Sequence, residues 1–155
     1  MRGRGFTLIE MLVVLAIMGV LAAAARPMLE LTYQRSQEFE LRAGLRTLRG
    51  AIDAYKRAAD EGRVAKPADA SGYPPDLDAL VQGVPDIRTP NGDKIYFLRY
   101  LPRDPFADPQ SSAAETWALR AYDSAPDNPR PGRDVFDIHS RSERRALDGS
   151  PVKDW

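Results

Sequence analysis

Few residues in this chain of 155 have the type and setting that chemistry requires. Glu10 is the first. It follows a basic leader with Arg2 and Arg4 and precedes a run, residues 11–25, with no charge and no hydrogen-bonding side chain. A carboxylate at a bilayer centre costs about 2.5–3.5 kcal/mol on insertion scales, and less near the headgroups, so one retained beside such a run invites a functional reading. Its chemistry there is charge pairing, because an unpaired charge away from water is strongly disfavoured. His139 is the only histidine, with Asp137 two residues before it on one face of a predicted strand. A base or ligand needs partners that a lone histidine lacks, so we read it as structural or surface. Asp76/Asp78 and Asp104/Asp108 are acid pairs at helix-start and turn positions, which favour Asp in any case. There is no cysteine, no metal-spaced His/Cys cluster and no phosphate loop. We expect no enzyme.

The elements that position these residues begin with a helix. Residues 6–25 span about 30 Å at roughly 1.5 Å per residue, enough to cross a bilayer core. One long helix is expected from Phe6 to about Asp60, with Pro27 kinking it by removing a backbone N–H and crowding the preceding turn. It has three zones. The first is apolar all round. Residues 27–40 are mixed, with Glu38 and Arg42 spaced i,i+4 in the favourable order. From Leu41 a stripe runs through Leu45, Leu48, Ile52, Tyr55 and Ala59, the mark of one buried face. A coiled coil would use the same stripe, but it covers fewer than three heptads.

Lys+Arg and Asp+Glu are both 22, so nothing points to nucleic acid. The lack of cysteine means that an exported domain is held without disulfides. Thirteen prolines, nearly all after residue 66, make the C-terminal half rich in loops. After a polar loop at 61–71, Pro74, Pro75, Asp76 and the apolar Leu77, Leu80 and Val81 predict a short helix. Residues 90–93 read as a turn and 94–101 as partly extended. Two strands are predicted, at 116–122 and 134–140, with Val135 opposite in phase to Phe136 and Ile138. Residues 123–133 read as a loop, and Trp155 is too large an apolar surface to be left unpacked. The fold class is α+β, a long N-terminal helix whose second half packs on a small antiparallel sheet.

Gly5-Phe6-Thr7-Leu8-Ile9-Glu10, the apolar run and Pro27 together resemble the class III signal of type IV pilins and type II secretion pseudopilins. Beyond it, Tyr73-Pro74 with Leu77, Leu80 and Val81, the run Leu101-Pro102-Arg103-Asp104-Pro105-Phe106, and the strand, polar loop and terminal Trp155 resemble the major, G-type pseudopilins. The resemblance covers most of the chain. It implies a type IV pilin-like fold and cleavage between Gly5 and Phe6 by prepilin peptidase. It also implies N-methylation of Phe6 and filament assembly through a Glu10 carboxylate paired with the Phe6 amine of a neighbouring copy. The implied domains are a leader at 1–5, a transmembrane and filament-core segment at 6–26, and a periplasmic domain at 27–155.

The implied location is the bacterial inner membrane, in a single pass. The implied partners are the chain itself as a helical homopolymer, minor pseudopilins, the peptidase, and the inner-membrane assembly platform with its ATPase. Arg2 and Arg4 favour an inside N-terminus, but Arg26 and Arg35 flank the other end, so domain size and the resemblance carry the orientation. G-type pseudopilins commonly bind calcium in the loop after the last strand. Here that loop offers Glu143 and Asp148 among Arg141, Arg144 and Arg145, short of the six to eight oxygens calcium takes. We expect no metal and no other cofactor, with arginines pairing Asp148 or Asp154 instead.

Three other readings use the same residues. A type IV pilin or minor pilin for adhesion, motility or DNA uptake would share the N-terminal signal. A monomeric, signal-anchored periplasmic binding domain explains neither the Gly5-Phe6 junction nor Glu10. An ordinary secretory signal would take residues 11–21 as its apolar core and Ala22 to Ala25 as its cleavage region. Glu10 interrupts such a signal, and the helical pattern continues beyond it. Mass spectrometry of membrane-extracted protein should find a mature chain starting at Phe6 with one added methyl. Gly5→Ala should largely keep the leader, because it adds a Cβ where the peptidase must approach the backbone. A mature end near Ala25 would restore the secretory signal.

Overall fold

A computed structural model describes residues 7–155, apart from the side chains of Ala24 and Ala25. Its first element is α1, Leu8–Asp60, a helix of 53 residues that runs without a break through Pro27. The chain divides into two compact units, Met1–Ser36 and Gln37–Trp155, so α1 contributes to both. In the first unit the described apolar side chains of α1, among them Leu8, Ile9, Leu12, Leu15, Val20, Leu21, Met28 and Leu29, are exposed. This helix is long and apolar enough to cross a membrane.

The second unit has its own core. Every residue of the predicted stripe, Leu41, Leu45, Leu48, Ile52, Tyr55 and Ala59, is buried, and Ala51 and Ala58 widen the face. Leu77, Leu80, Trp117, Val135, Ile138, Ala146 and Val152 cover it. Each fully buried Leu or Ile side chain contributes about 1.5–3 kcal/mol relative to exposure. Gly44 faces this packing: a Cβ there would lie 3.4 Å from the Trp117 ring, in ordinary van der Waals contact. The helix ends where the sequence pattern places its end. Gly62 has φ +69°, and the Gly62 and Arg63 amides donate to the Ala59 and Ala58 carbonyls at 3.0 and 2.9 Å. That is a Schellman cap.

The sheet is smaller than predicted and comes as two antiparallel pairs. β1, Val84–Pro85, pairs with β2, Lys94–Ile95. β3, Trp117–Arg120, pairs with β4, Asp137–Ser140, placing Ala118 opposite His139. The predicted strands were longer. Thr116 instead ends a 3-10 turn, Ala114–Thr116, where its hydroxyl donates to the Ala113 carbonyl at 2.6 Å. Val135 precedes β4, and its amide donates to the Pro74 carbonyl. Val135, rather than Phe136, therefore joins Ile138 in the core. Phe136 packs edge-on to Tyr73 and Tyr122 instead. The extended run expected at 94–101 shrinks to β2, because the Phe97 and Leu98 amides donate to the Leu80 carbonyl. The short helix is α2, Ala79–Gln82, one turn later than predicted, with Asp76 accepting from the Ala79 amide at 2.8 Å.

Trp155 packs partly buried against the core, as expected of so large an apolar surface. Its carbonyl oxygen accepts from Arg49, which also donates to the Asp137 carboxylate and the Ile138 carbonyl, at 2.8, 2.8 and 3.0 Å. One helix side chain thus fastens β4 and the chain end together. A second fastening joins the helix end to the first strand pair. Arg63 donates two bonds to the buried Asp86 carboxylate at 2.9 and 2.7 Å.

Those Arg63 bonds, with a further bond from the Arg88 amide, hold the Asp86 carboxyl below its usual range. A group with a depressed folded pKa adds stability that is present above its unfolded value and is lost as pH falls through the folded one. Melting temperature should therefore fall below about pH 4, the ordinary aspartate range. Asp86→Asn should be less stable than the parent at neutral pH, and the difference should shrink on acidification. Melting curves of both proteins between neutral and acid pH measure it. Parallel curves would show that Asp86 is not part of the acid response.

Candidate functional site

The first candidate residues stand at the start of α1. Thr7 and Glu10 bond reciprocally. The Thr7 amide donates to Glu10 Oε2 at 3.4 Å, and the Glu10 amide donates to Thr7 Oγ1 at 3.3 Å. This is a capping box, in which two of the orphan amides of a helix start are satisfied by side chains. The negative charge also sits at the favourable end of the helix dipole. Glu10 is thus held by its own helix while its side chain stays exposed. The Thr7 role was missed at the level of sequence, although Thr-x-x-Glu before an apolar run is a legible signature of a helix start. Gly5 and Phe6, the cleavage and methylation positions, lie outside the described residues. Pro27 lies inside α1, and Thr32 Oγ1 donates to the Met28 carbonyl one turn beyond it, at 2.9 Å.

The second candidate region is the loop at 141–150. Asp148 Oδ1 accepts from the Ser150 amide at 2.9 Å and the Ser150 hydroxyl at 2.6 Å. Its other oxygen lies 3.6 Å from Arg42. These Ser150 bonds first, with Arg42 adding, hold the Asp148 carboxyl below its usual range. The ion pair to Asp148 comes from α1, not from a loop arginine as expected. Arg141 donates to the Trp117 carbonyl and Arg145 to the Gly149 carbonyl. Glu143 is exposed, in a groove also lined by Arg141, Lys153 and Asp154. Among the described residues no three His, Cys, Asp or Glu side chains gather in a way that could hold a metal ion.

His139 is half-buried on β4, and burial lowers its pKa. The Asp137 carboxylate beside it is bound by Arg49 at 2.8 Å, so it is committed to the helix–strand fastening. The other acids act as local braces. Asp104 is buried, accepting from the Phe106 amide at 2.8 Å and from the Ser140 hydroxyl. Asp108 accepts from the Gln110 amide. Asp104 explains the Leu-Pro-x-Asp-Pro-aromatic run: its carboxylate ties that turn to the end of β4.

The chain is similar to proteins of one kind. A family model described as the prokaryotic N-terminal methylation motif matches residues 1–25. The type II secretion system core protein G of Klebsiella pneumoniae is 36% identical over 112 residues, covering 68% of this chain and 70% of the relative. The same-named protein of Pseudomonas aeruginosa is 32% identical over 108 residues, covering 68% and 69%. That of Aeromonas hydrophila is 32% identical over 111 residues, covering 70% and 71%. No solved structure matches significantly.

The capping box separates two properties of Glu10. Glutamine also serves at this position of a capping box, so Glu10→Gln should leave the helix start intact while removing the charge. Thr7→Ala and Glu10→Ala should each fray the first turn, at a cost of about 0.5–2 kcal/mol for a lost cap. Hydrogen exchange of the amides at residues 8–11, in detergent, reads this out. Protection in Glu10→Ala equal to that in Glu10→Gln would show that the box contributes nothing.

Proposed function

This chain belongs to the type II secretion system core protein G family, and on that basis we propose that it is a structural subunit of a secretion pseudopilus that helps export folded proteins. The observation that supports this most directly is α1 itself. Its stripe from Leu41 to Ala59 is buried by its own domain, while the described large apolar side chains between Leu8 and Leu31 are exposed. Bilayer lipid covers such a surface before assembly. Other copies of the same helix cover it afterwards. A head-to-tail contact that does not close on itself yields an open fibre.

In this reading prepilin peptidase cuts between Gly5 and Phe6, and the new Phe6 amine is methylated. The helix to residue 26 anchors the chain in the inner membrane, and residues 27–155 stand in the periplasm. The partners are copies of the chain, minor pseudopilins, and the assembly platform with its ATPase. The chain itself is no enzyme.

Glu10 is the assembly residue in this proposal, paired with the Phe6 amine of the adjacent subunit. Opposite charges at about 4 Å attract by about 4 kcal/mol at an effective dielectric near 20, before desolvation is counted. The amine exists only after cleavage, so assembly would wait for processing. Glu10→Gln should insert and be cleaved normally yet build few filaments and secrete poorly, when expressed with the assembly platform. Electron microscopy and a secretion assay measure both effects. Wild-type filament yield from Glu10→Gln would remove the charge pair from the proposal and leave Glu10 as a helix cap.

A further inference from the structure

We propose that the loop at 141–150 is closed by side chains of α1 in place of a metal ion, with the Arg42 guanidinium as a built-in cation. The expectation of calcium rests on the family reading, but the latch stands on contacts alone. Glu38, only 6% exposed, accepts a hydrogen bond from the Leu147 amide at 2.8 Å, across 109 residues of chain. One turn later, Arg42 stacks on the Trp155 ring with its guanidinium carbon 3.9 Å from the ring centroid. The same guanidinium reaches Asp148 at 3.6 Å. Trp155 is fixed in turn, since its indole N–H donates to the Ser150 hydroxyl at 2.9 Å.

Around Asp148 the oxygens that a cation in this loop would use are already engaged by donors, and the Glu143 carboxylate is exposed in a groove shared with Arg141 and Lys153. Asp148 accepts from Ser150 on one oxygen and faces Arg42 with the other. The Gly149 carbonyl accepts from Arg145, and the Ser150 carbonyl accepts from the Ala146 amide. Calcium takes six to eight oxygens, many of them anionic. To enter here it would have to displace guanidinium and amide donors and sit among several arginines. A planar guanidinium suits the position because it stacks on an aromatic face and pairs with a carboxylate at once. A lysine ammonium would keep the charge but lacks the planar face that stacks on the ring, so arginine suits the latch better.

The latch is tested on the full-length protein in detergent. Melting temperature and the rate of trypsin cleavage after Arg144 and Arg145 should be the same with millimolar calcium as with EGTA, because stabilisation by a ligand requires a site for it. Arg42→Ala should speed that cleavage several-fold, equally in calcium and in EGTA, while far-UV circular dichroism shows the helix retained. Should Arg42→Ala fail to fold, Arg42→Lys, which keeps the charge and loses the stacking, should speed cleavage in the same direction. A calcium-dependent rise in melting temperature or in protection of the wild type would overturn the proposal. Unchanged cleavage in a folded Arg42 variant would overturn it too. Neither measurement involves filaments, so failure of the secretion reading would leave both results standing.

Discussion

One constraint governs this molecule: a single helix must satisfy two solvents. Between Leu41 and Ala59 the apolar residues recur at three and four, which leaves a polar face for water and one stripe for a domain to cover. Between Met11 and Ala25 there is no polar side chain, so no soluble domain could cover the helix on all sides without enclosing it. Within the second unit the globular core covers the stripe together with Ala51 and Ala58. An uncharged surface of that length is stable in lipid or against its own copies, and the chain can pass from one to the other without exposing it to water. In the proposed function, anchor and polymer core would be one surface in two settings.

The domain depends little on strand pairing. Its two pairs contribute two and four residues per strand. Long-range polar contacts from α1 do much of the joining. Gln37 donates to the Pro105 carbonyl, Glu38 accepts from the Leu147 amide, and Arg49 binds both β4 and the Trp155 carbonyl. Prolines at 102, 105, 109, 126, 129 and 131 explain why this is necessary. Each lacks an amide for a ladder, and the loops they impose must find partners among side chains. Trp117 shows the same arrangement, its indole N–H donating to the Pro102 carbonyl from within the core.

Periodicity was the legible part of the sequence. The stripe, the helix end near Asp60, the loop at 123–133 and the inward packing of Trp155 all rest on local pattern. Strand limits were not legible, because Thr116 and Val135 have strand-forming side chains but commit a hydroxyl or a backbone amide to partners outside any ladder. The pair Val84–Pro85 with Lys94–Ile95 was missed because a proline inside a two-residue strand gives no alternation to read. At the candidate site, Glu10 stood out by its surroundings, whereas Arg42 did not. An arginine on an exposed helix face looks the same whether it meets water or the distant Trp155 ring, and only the fold decides between them.

The capping box bears on how Glu10 can serve in assembly. A carboxylate has two oxygens and about four acceptor sites. The Thr7 amide uses one of these, on Oε2. Among the described residues no donor reaches the other oxygen, so in the proposed assembly the cap and an intersubunit amine need not compete. Their effects differ in kind. Capping satisfies the helix's own amides and orients the carboxylate, which limits the entropy lost when a partner arrives. Pairing neutralises the charge, which matters once neighbouring helices exclude water and an unpaired carboxylate becomes costly. A glutamine can perform the first task and not the second. In the proposed assembly the acid at this position would supply a charge to be met from outside the helix, and the threonine three residues before it would hold that carboxylate in place through the capping box.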